Sequence, residues 1–336
     1  MVRAAGAEDL AALTHELYLE RHLAEIAVAR EHIAPHIRRT PLLTTDLDPS
    51  LRLKPESFQV TGSFKPRGAF NAALSLREHE PDVTGVAAAS SGNHAQALAL
   101  AARTAGLPAV IVIPHDANPD KVAATRGFGA GVVQEGVTFA NREERLQEVA
   151  GERGFAIVHP YDNWDVIHGA ATAAGEALAD DPSIATIVVP TGGGGLLSGT
   201  ALVAKAHNPS LQVIGVEPEA ADDAARTLAT GVIQRLPDSP TTMADGVRTM
   251  SVGERNFDVI VRRRLVDAIV TVSEEEIAAA TVTAWLRLKL ALEPTGALPL
   301  AAWLSGKVPR DAGPTLLIFS GGNANPRLIA DLLARA

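Results

Sequence analysis

The chain has 336 residues, 46% of them hydrophobic and only 4% aromatic; this is too long for one simple core and implies two domains, or one large one, packed by aliphatic side chains. The net charge of −9, with no Lys or Arg block able to follow a phosphate backbone, excludes nucleic acid as the expected partner. The absence of cysteine excludes disulfides, thiolate catalysis and Cys-ligated metal, and it fits a reducing, cytoplasmic setting.

Residues Met1 to Leu19 are interrupted by Glu8, Asp9, His15 and Glu16, so no signal peptide is expected there. No run of 18 apolar residues occurs, so no membrane span is expected either. Leu19, Leu23, Ile26 and Ile33 share one face of a helix over about Glu16 to Ile33, which Pro35 ends. Thr61-Gly62-Ser63 then opens a short helix from Lys65 to about Leu76. Strands over Val83–Ala88, Ala109–Ile113, Ala130–Gln134 and Phe155–Val158 alternate with helices over Ala95–Arg103, Asp120–Arg126 and Phe139–Glu152. Short apolar strands separated by helices predict a parallel sheet covered on both faces.

The alternation restarts with a helix over Thr172–Leu178, a strand over Ile184–Val189 and a helix over Leu196–Ala206. Strands over Val213–Val216 and Ala268–Val272 follow. Ser273 and Glu276 form a capping box that starts a helix reaching about Leu292. A strand over Leu316–Phe319 and a helix over Pro326–Arg335 complete the chain. The fold class is therefore α/β with two lobes, each a mainly parallel sheet flanked by helices. Residues 83–159 form the smaller lobe, and residues 1–82 with 160–336 the larger.

Four segments lie where strands end or helices begin, the places where open α/β sheets bind ligands. They are Thr61 to Lys65, Ser90 to His94, Thr191 to Gly195, and Ser320 to Asn323. Gly192 to Gly195 stand between strand and helix, where bare backbone N–H groups and the helix dipole can hold a phosphate; the plainer reading is a flexible turn. Gly193, Gly195 and Gly199 also form a loose dinucleotide fingerprint, with Glu217 spaced like a ribose-binding acid. That is the rival reading of a nicotinamide-dependent oxidoreductase.

The run Glu56-Ser57-Phe58-Gln59-Val60-Thr61-Gly62-Ser63-Phe64-Lys65-Pro66-Arg67-Gly68-Ala69 closely resembles the cofactor-lysine motif of the serine/threonine dehydratase and serine racemase family. These are pyridoxal 5'-phosphate enzymes of fold type II, like the tryptophan-synthase β chain. The resemblance continues through Ser91-Gly92-Asn93-His94-Ala95-Gln96, Gly192 to Gly195, Asp245-Gly246-Val247, Glu293-Pro294-Thr295 and Ser320-Gly321-Gly322-Asn323. It implies that Lys65 links to the cofactor aldehyde and later takes the substrate's Cα proton, its pKa lowered for both tasks. Phe64 packs near the cofactor ring, Gly246 leaves room on its other side, Asn93 bonds its 3'-oxygen, and Glu293 joins the cofactor-binding set. Ser90, Ser91, Gly92, Asn93 and His94 bind the substrate carboxylate.

Ser320 faces the pyridine nitrogen in this reading, where a neutral hydroxyl favours expulsion of a β-hydroxyl over a long-lived carbanion; alone it would read as a turn serine. Ser91, with Lys65 on the opposite face, makes inversion at Cα feasible, although it reads equally well as a helix N-cap. Glu217, the Ala221 carbonyl and Asp223 resemble the family's divalent-cation site, suited to Mg2+, Ca2+ or Mn2+; otherwise they are acids favouring a helix N-terminus. The implied activity is β-elimination from L-serine or L-threonine to a 2-keto acid and ammonia, with racemisation as companion or main activity, or 3-hydroxyaspartate as substrate. A homodimer is implied as well. Gly169-Ala170-Ala171-Thr172 and Tyr161 depart from the family's usual residues and bear on the substrate.

Overall fold

The computed structural model describes residues 14–117 and 119–335. The portions of the signal-peptide and large-lobe readings that fall on residues 1–13 lie outside them. Helix α1 (His15–Ile33) starts where the Thr14 hydroxyl accepts the Leu17 N–H. Strand β1 (Leu51–Pro55) was not anticipated, because Arg52 and Lys54 break its apolar run. Lys54 is nevertheless buried, its ammonium donating to the Thr40 carbonyl and to Glu176 at 2.7 and 2.6 Å.

Helix α2 (Lys65–His79), β2 (Val86–Ala89), α3 (Asn93–Ala105), β3 (Ala109–Val112), α4 (Pro119–Gly127), β4 (Gly131–Val133), α5 (Arg142–Arg153) and β5 (Ala156–Ile157) keep the expected alternation. Next come α6 (Trp164–Asp180), β6 (Thr186–Pro190), α7 (Gly195–His207), β7 (Gln212–Pro218) and α8 (Asp223–Thr230). The chain closes with β8 (Ala268–Val272), α9 (Glu274–Thr283), α10 (Pro294–Leu304), β9 (Thr315–Phe319) and α11 (Pro326–Ala334).

Four helices differ from expectation, α8 among them because no helix was expected between Val216 and Ala268. Helix α6 begins well before Thr172, because the Asn163 side chain caps it by accepting the Val166 N–H at 3.1 Å. Helix α9 carries the expected Ser273–Glu276 capping box. It does not run to Leu292: a π turn over Ala284–Leu288 unwinds it, and Lys289, at φ 58°, stops it. Helix α10 was missed because Pro294 and Pro299 interrupt its sequence and every residue but Leu304 is buried, leaving no amphipathic period. Pro294 sits in the first turn, where its missing N–H costs nothing.

The strands form two sheets, with every pairing parallel. The five-stranded sheet has the order β1-β9-β6-β7-β8 and the four-stranded sheet β4-β3-β2-β5. Strand β9 lies between β1 and β6, so that Leu53 and Val188 both pair with Leu317. Alternate residues of β9 serve opposite faces: Leu316 and Ile318 pack with α1, α6 and α7, and Leu317 and Phe319 with α9 and α10. In the smaller sheet Ala88 and Ile111 pack against α2 and α3, and Ala87 and Val110 against α5. Strands β2, β6 and β9 all end at the cleft between the sheets, delivering the segments that begin at Ser90, Thr191 and Ser320.

Candidate active site

Lys65 leaves a turn that is sewn to the turn following β9. Phe64 N–H donates to the Ser320 carbonyl, Gly322 N–H donates to the Gly62 carbonyl (both 2.9 Å), and Ser63 bridges Gly321. Gly62 lies at φ 74°, and a Cβ there would stand 2.5 Å from the Asn323 side-chain oxygen, so both its conformation and its space demand glycine. The Lys65 ammonium donates to the Pro160 carbonyl at 2.8 Å and sits 4.9 Å from the Phe64 ring centre. Protein surrounds this amine closely while leaving part of it open to the cleft, and burial pushes its pKa down to about 8. A lysine so placed is a nucleophile and base near neutral pH.

Behind Lys65, Arg67 is fully buried and ties its helix to two other elements. Its guanidinium reaches both Glu56 oxygens at 2.7 and 2.9 Å, both Glu176 oxygens at 2.8 and 2.9 Å, and the Thr172 hydroxyl at 3.0 Å. Gly169 packs on the same strip, where an added Cβ would stand 2.2 Å from the Arg67 carbonyl. The Gly169–Thr172 departure therefore acts on the packing of α6 against α2 and does not line the cleft.

Helix α3 begins with Gly92 as N-cap and no side chain bonded to its first N–H groups. That overturns the reading of Ser91 as a capping residue. Ser91 is exposed, and its hydroxyl bonds no described residue. The uncapped helix end offers N–H donors to an anion. Ser90 turns inward, its hydroxyl accepting the Gly92 N–H at 3.3 Å. The His94 ring lies away from the cleft with Nε2 3.0 Å from the Val158 carbonyl; burial, then the Lys65 charge, pushes its pKa down to about 3. Only the His94 backbone belongs to the helix end.

Asn93 sits at the centre of a polar chain. Its amide nitrogen donates to Glu293 at 2.7 Å, while its oxygen accepts from Asn323, whose nitrogen also donates to the Thr61 carbonyl. Asn323 thus fixes the orientation of the Asn93 amide. Glu293 is buried, and burial, reinforced by Asp245, pushes its pKa up to about 7. Gly246 donates its N–H to Thr295 at 2.9 Å. Ser320 ends β9 nearly buried, and its hydroxyl bonds no described residue.

The glycine loop is crowded on the protein side. Added Cβ atoms would stand 3.1 Å from Val247 at Gly192, 2.3 Å from the Tyr161 ring at Gly193, 2.8 Å from Asn256 at Gly194 and 3.1 Å from Tyr161 at Gly195. Gly194, at φ 94°, is the N-cap of α7, and no side chain caps that helix. These residues make a cradle of backbone N–H groups at a helix N-terminus, fitted for a phosphate. Gly199 is different: inside α7 it lets the helix approach Ile167 and Ala171 of α6. Glu217 is tied down as well, accepting the N–H groups of Ala224 and Ala225 at 3.1 and 2.8 Å. Neither residue faces the cradle as a dinucleotide fingerprint requires.

Glu217 and Asp223 are both buried. Burial followed by Asp223 lifts Glu217, burial lifts Asp223 above its usual range, and both Asp223 oxygens lack a hydrogen-bond partner. Among the described residues no three or more His, Cys, Asp or Glu side chains gather into a metal-sized cluster, so a cation here would rest on two carboxylates plus backbone oxygen and water.

Pro160, Tyr161 and Asn323 are the contacts to these segments that residue-by-residue reading left unassigned. The signal for Asn323 was the Ser-Gly-Gly-Asn run itself; that for Tyr161 was its departure from the family pattern. Comparison with known proteins places the same segments in one family. Residues 33–321 match the family model for pyridoxal-phosphate dependent enzymes. The chain is 40% identical over 315 residues to an L-threo-3-hydroxyaspartate ammonia-lyase of Saccharomyces cerevisiae, covering 92% of this chain and 95% of that one. It is 41% identical to a serine racemase of Oryza sativa subsp. indica, covering 89% and 90%. The solved threonine deaminase of T.th. superposes with a TM-score of 0.84 at 47% identity, covering 90% and 98%.

Proposed function

The chain belongs to the pyridoxal-phosphate dependent enzymes, and from that premise we propose that it eliminates water and then ammonia from a small hydroxy-amino acid such as L-serine or L-threonine. The observation that carries this reading is the partly open Lys65 amine, its pKa lowered to about 8, in one cleft with an uncapped helix end and a glycine cradle.

The residues fit the cofactor. The cradle from Gly192 to Gly195 leaves only backbone N–H groups for its phosphate, Lys65 supplies the amine for its aldehyde, and Asn93 has a donor held in fixed orientation by Asn323. Phe64, Gly246 and Glu293 complete the set, and Ser320 brings an unbonded neutral hydroxyl where a carboxylate would hold a proton on the ring. When bound, pyridoxal phosphate supplies electron withdrawal that acidifies the substrate's Cα–H bond.

The protein does the rest. The first N–H groups of α3, from Ser90 to His94, take the substrate carboxylate and fix its orientation. Lys65 Nζ, released from the Pro160 carbonyl, takes the Cα proton as general base. The β-hydroxyl leaves as water, taking the proton that Lys65 Nζ removed from Cα, and the released 2-aminoacrylate or its methyl homologue hydrolyses to a 2-keto acid and ammonia. Ser91, exposed and unbonded, supports a second reading in which a proton returns to Cα from that side and serine is racemised.

Several finer assignments belong to the same proposal. Residues 83–159 act as a small mobile lobe on a cofactor-binding lobe formed by the rest. Glu217, the Ala221 carbonyl and Asp223 hold a divalent cation such as Mg2+, a reading supported by two neighbouring buried carboxylates, of which Asp223 has no hydrogen-bond partner among the described residues. That cation neutralises them and stiffens the start of α8. The working form is a cytoplasmic homodimer, in keeping with the family resemblance, the cysteine-free composition and the lack, among described residues, of any helix long and apolar enough to span a membrane.

The deciding measurement is a proton NMR time course of L-serine in D2O with protein, pyridoxal phosphate and Mg2+. Pyruvate appears if the lyase reading is right, and loss of the Cα signal with D-serine formed marks the racemase. The Lys65→Ala variant is the blank: retained turnover in it refutes the mechanism.

A further inference from the structure

Lys121, in the first turns of α4, forms an ion pair with Asp245, next to Gly246 on the far side of the cleft. The partners belong to different sheets' surroundings and lie 124 residues apart. The Lys121 side chain is 19% exposed and that of Asp245 46%, so the pair lies within reach of solvent. Both charges act on buried Glu293, and Glu293 is where Asn93 of the smaller sheet docks. The two lobes are thus joined by the Asn93–Glu293 and Asn323–Asn93 hydrogen bonds inside, and by Lys121–Asp245 nearer solvent.

What the pair restrains is also visible. Helices α2 and α3 share one core, to which they contribute mostly alanines (Ala69, Ala72 and Ala73 from one, Ala95, Ala99 and Ala102 from the other) beside Phe70 and Leu98. A contact built mostly of short side chains interdigitates little and suits the shear type of domain motion. A sliding interface needs a stop. We propose that the Lys121–Asp245 pair is that stop: an electrostatic latch that holds the smaller lobe closed over Asn93 and Glu293, and opens to admit and release ligand. This rests on the two-lobe reading given above, but not on the identity of the substrate.

The latch is weak by construction. An ion pair this exposed shifts an equilibrium by about two- to fivefold, and salt screens it. That suits a contact which opens in every cycle.

The native chain has no cysteine, so two introduced cysteines are the only labelling sites. Glu152→Cys on α5 and Leu304→Cys at the end of α10 lie on exposed positions of the two lobes. Spin labels on the holoenzyme report the distance between lobes by pulsed electron resonance. Lys121→Gln and Asp245→Asn should each move about two- to fivefold more of the population to longer distances, as should 0.5 M salt in the wild type. The exchanged pair, Lys121→Asp with Asp245→Lys, should restore the short distance. Single variants indistinguishable from wild type, or an exchanged pair as open as the singles, would overturn the latch while leaving lobe motion intact. One narrow distance in every form, with and without L-serine, would overturn both the latch and the mobile lobe without touching the chemistry of Lys65.

Discussion

Acidification should expose the cost of one buried histidine. His22 of α1 is 2% exposed, boxed by the Tyr18 and Trp164 rings with centroids at 4.4 Å each, and its Nδ1 lies 2.8 Å from His168 Nε2. Its Nε2 has no partner among the described residues, so protonation would leave an unpaired charge inside an aromatic box. Burial, then the Arg21 and Arg263 charges, pushes its pKa from 6.5 to about 4. The unfolded chain therefore binds the proton first as pH falls. Stability is intact above pH 6.5, declines between 6.5 and about 4, and levels off below. Linkage gives a loss of about 2 kcal/mol by pH 5 and about 3 kcal/mol in full. The assay is urea unfolding of the holoenzyme at pH 7.5 and pH 5.0, for wild type and His22→Gln, which keeps a hydrogen-bonding group but does not titrate. Buried histidines outside this box, such as His94, contribute equally to both proteins and cancel. Wild type should lose about 2 kcal/mol more than the variant. Equal losses would refute the claim that His22 is held neutral by burial.

Gly193→Ala should release the cofactor: its methyl would meet three Tyr161 ring atoms at 2.3 Å, overpacking that costs about 1–3 kcal/mol and displaces the cradle. Visible absorption of the purified protein checks it, and full cofactor content would contradict it. Arg67→Met leaves Glu56 and Glu176 without their shared cation, and removing one partner of a buried ion pair costs about 3–5 kcal/mol, read as a lowered Tm. Excess EDTA should lower both Tm and turnover if Glu217 and Asp223 hold a cation; an unchanged melting curve would remove the metal.

The alternation of strands and helices was legible because parallel strands such as Thr186–Pro190 and Thr315–Phe319 are apolar without a break, being buried on both faces. Strand β1 escaped because Lys54 is buried by partners 14 and 122 residues away, which no local pattern displays. Helix α10 escaped for the opposite reason, having no polar face to set a period. Within the cleft, Lys65, Asn93 and the glycines stood out through their motif, whereas Asn323's hold on Asn93 and Lys121's hold on Asp245 exist only once the two sheets face each other. Glu217 and Gly199 show the converse case: a spacing that fits a dinucleotide site is consumed by the packing of α7 and the start of α8.

The stitch between the Lys65 turn and the turn after β9 also sets when the site can exist during synthesis. Asn323 and Thr61 lie 262 residues apart, and β9 must insert between β1 and β6 before either turn finds its partner. A nascent chain leaves the ribosome with its lysine early and its receptor for that lysine almost last. The smaller sheet, continuous from Val86 to Ile157, can pair its strands long before. The site that lowers the Lys65 pKa is therefore completed late in folding, and a chain released short of Ser320 carries an ordinary, protonated lysine instead of an activated one.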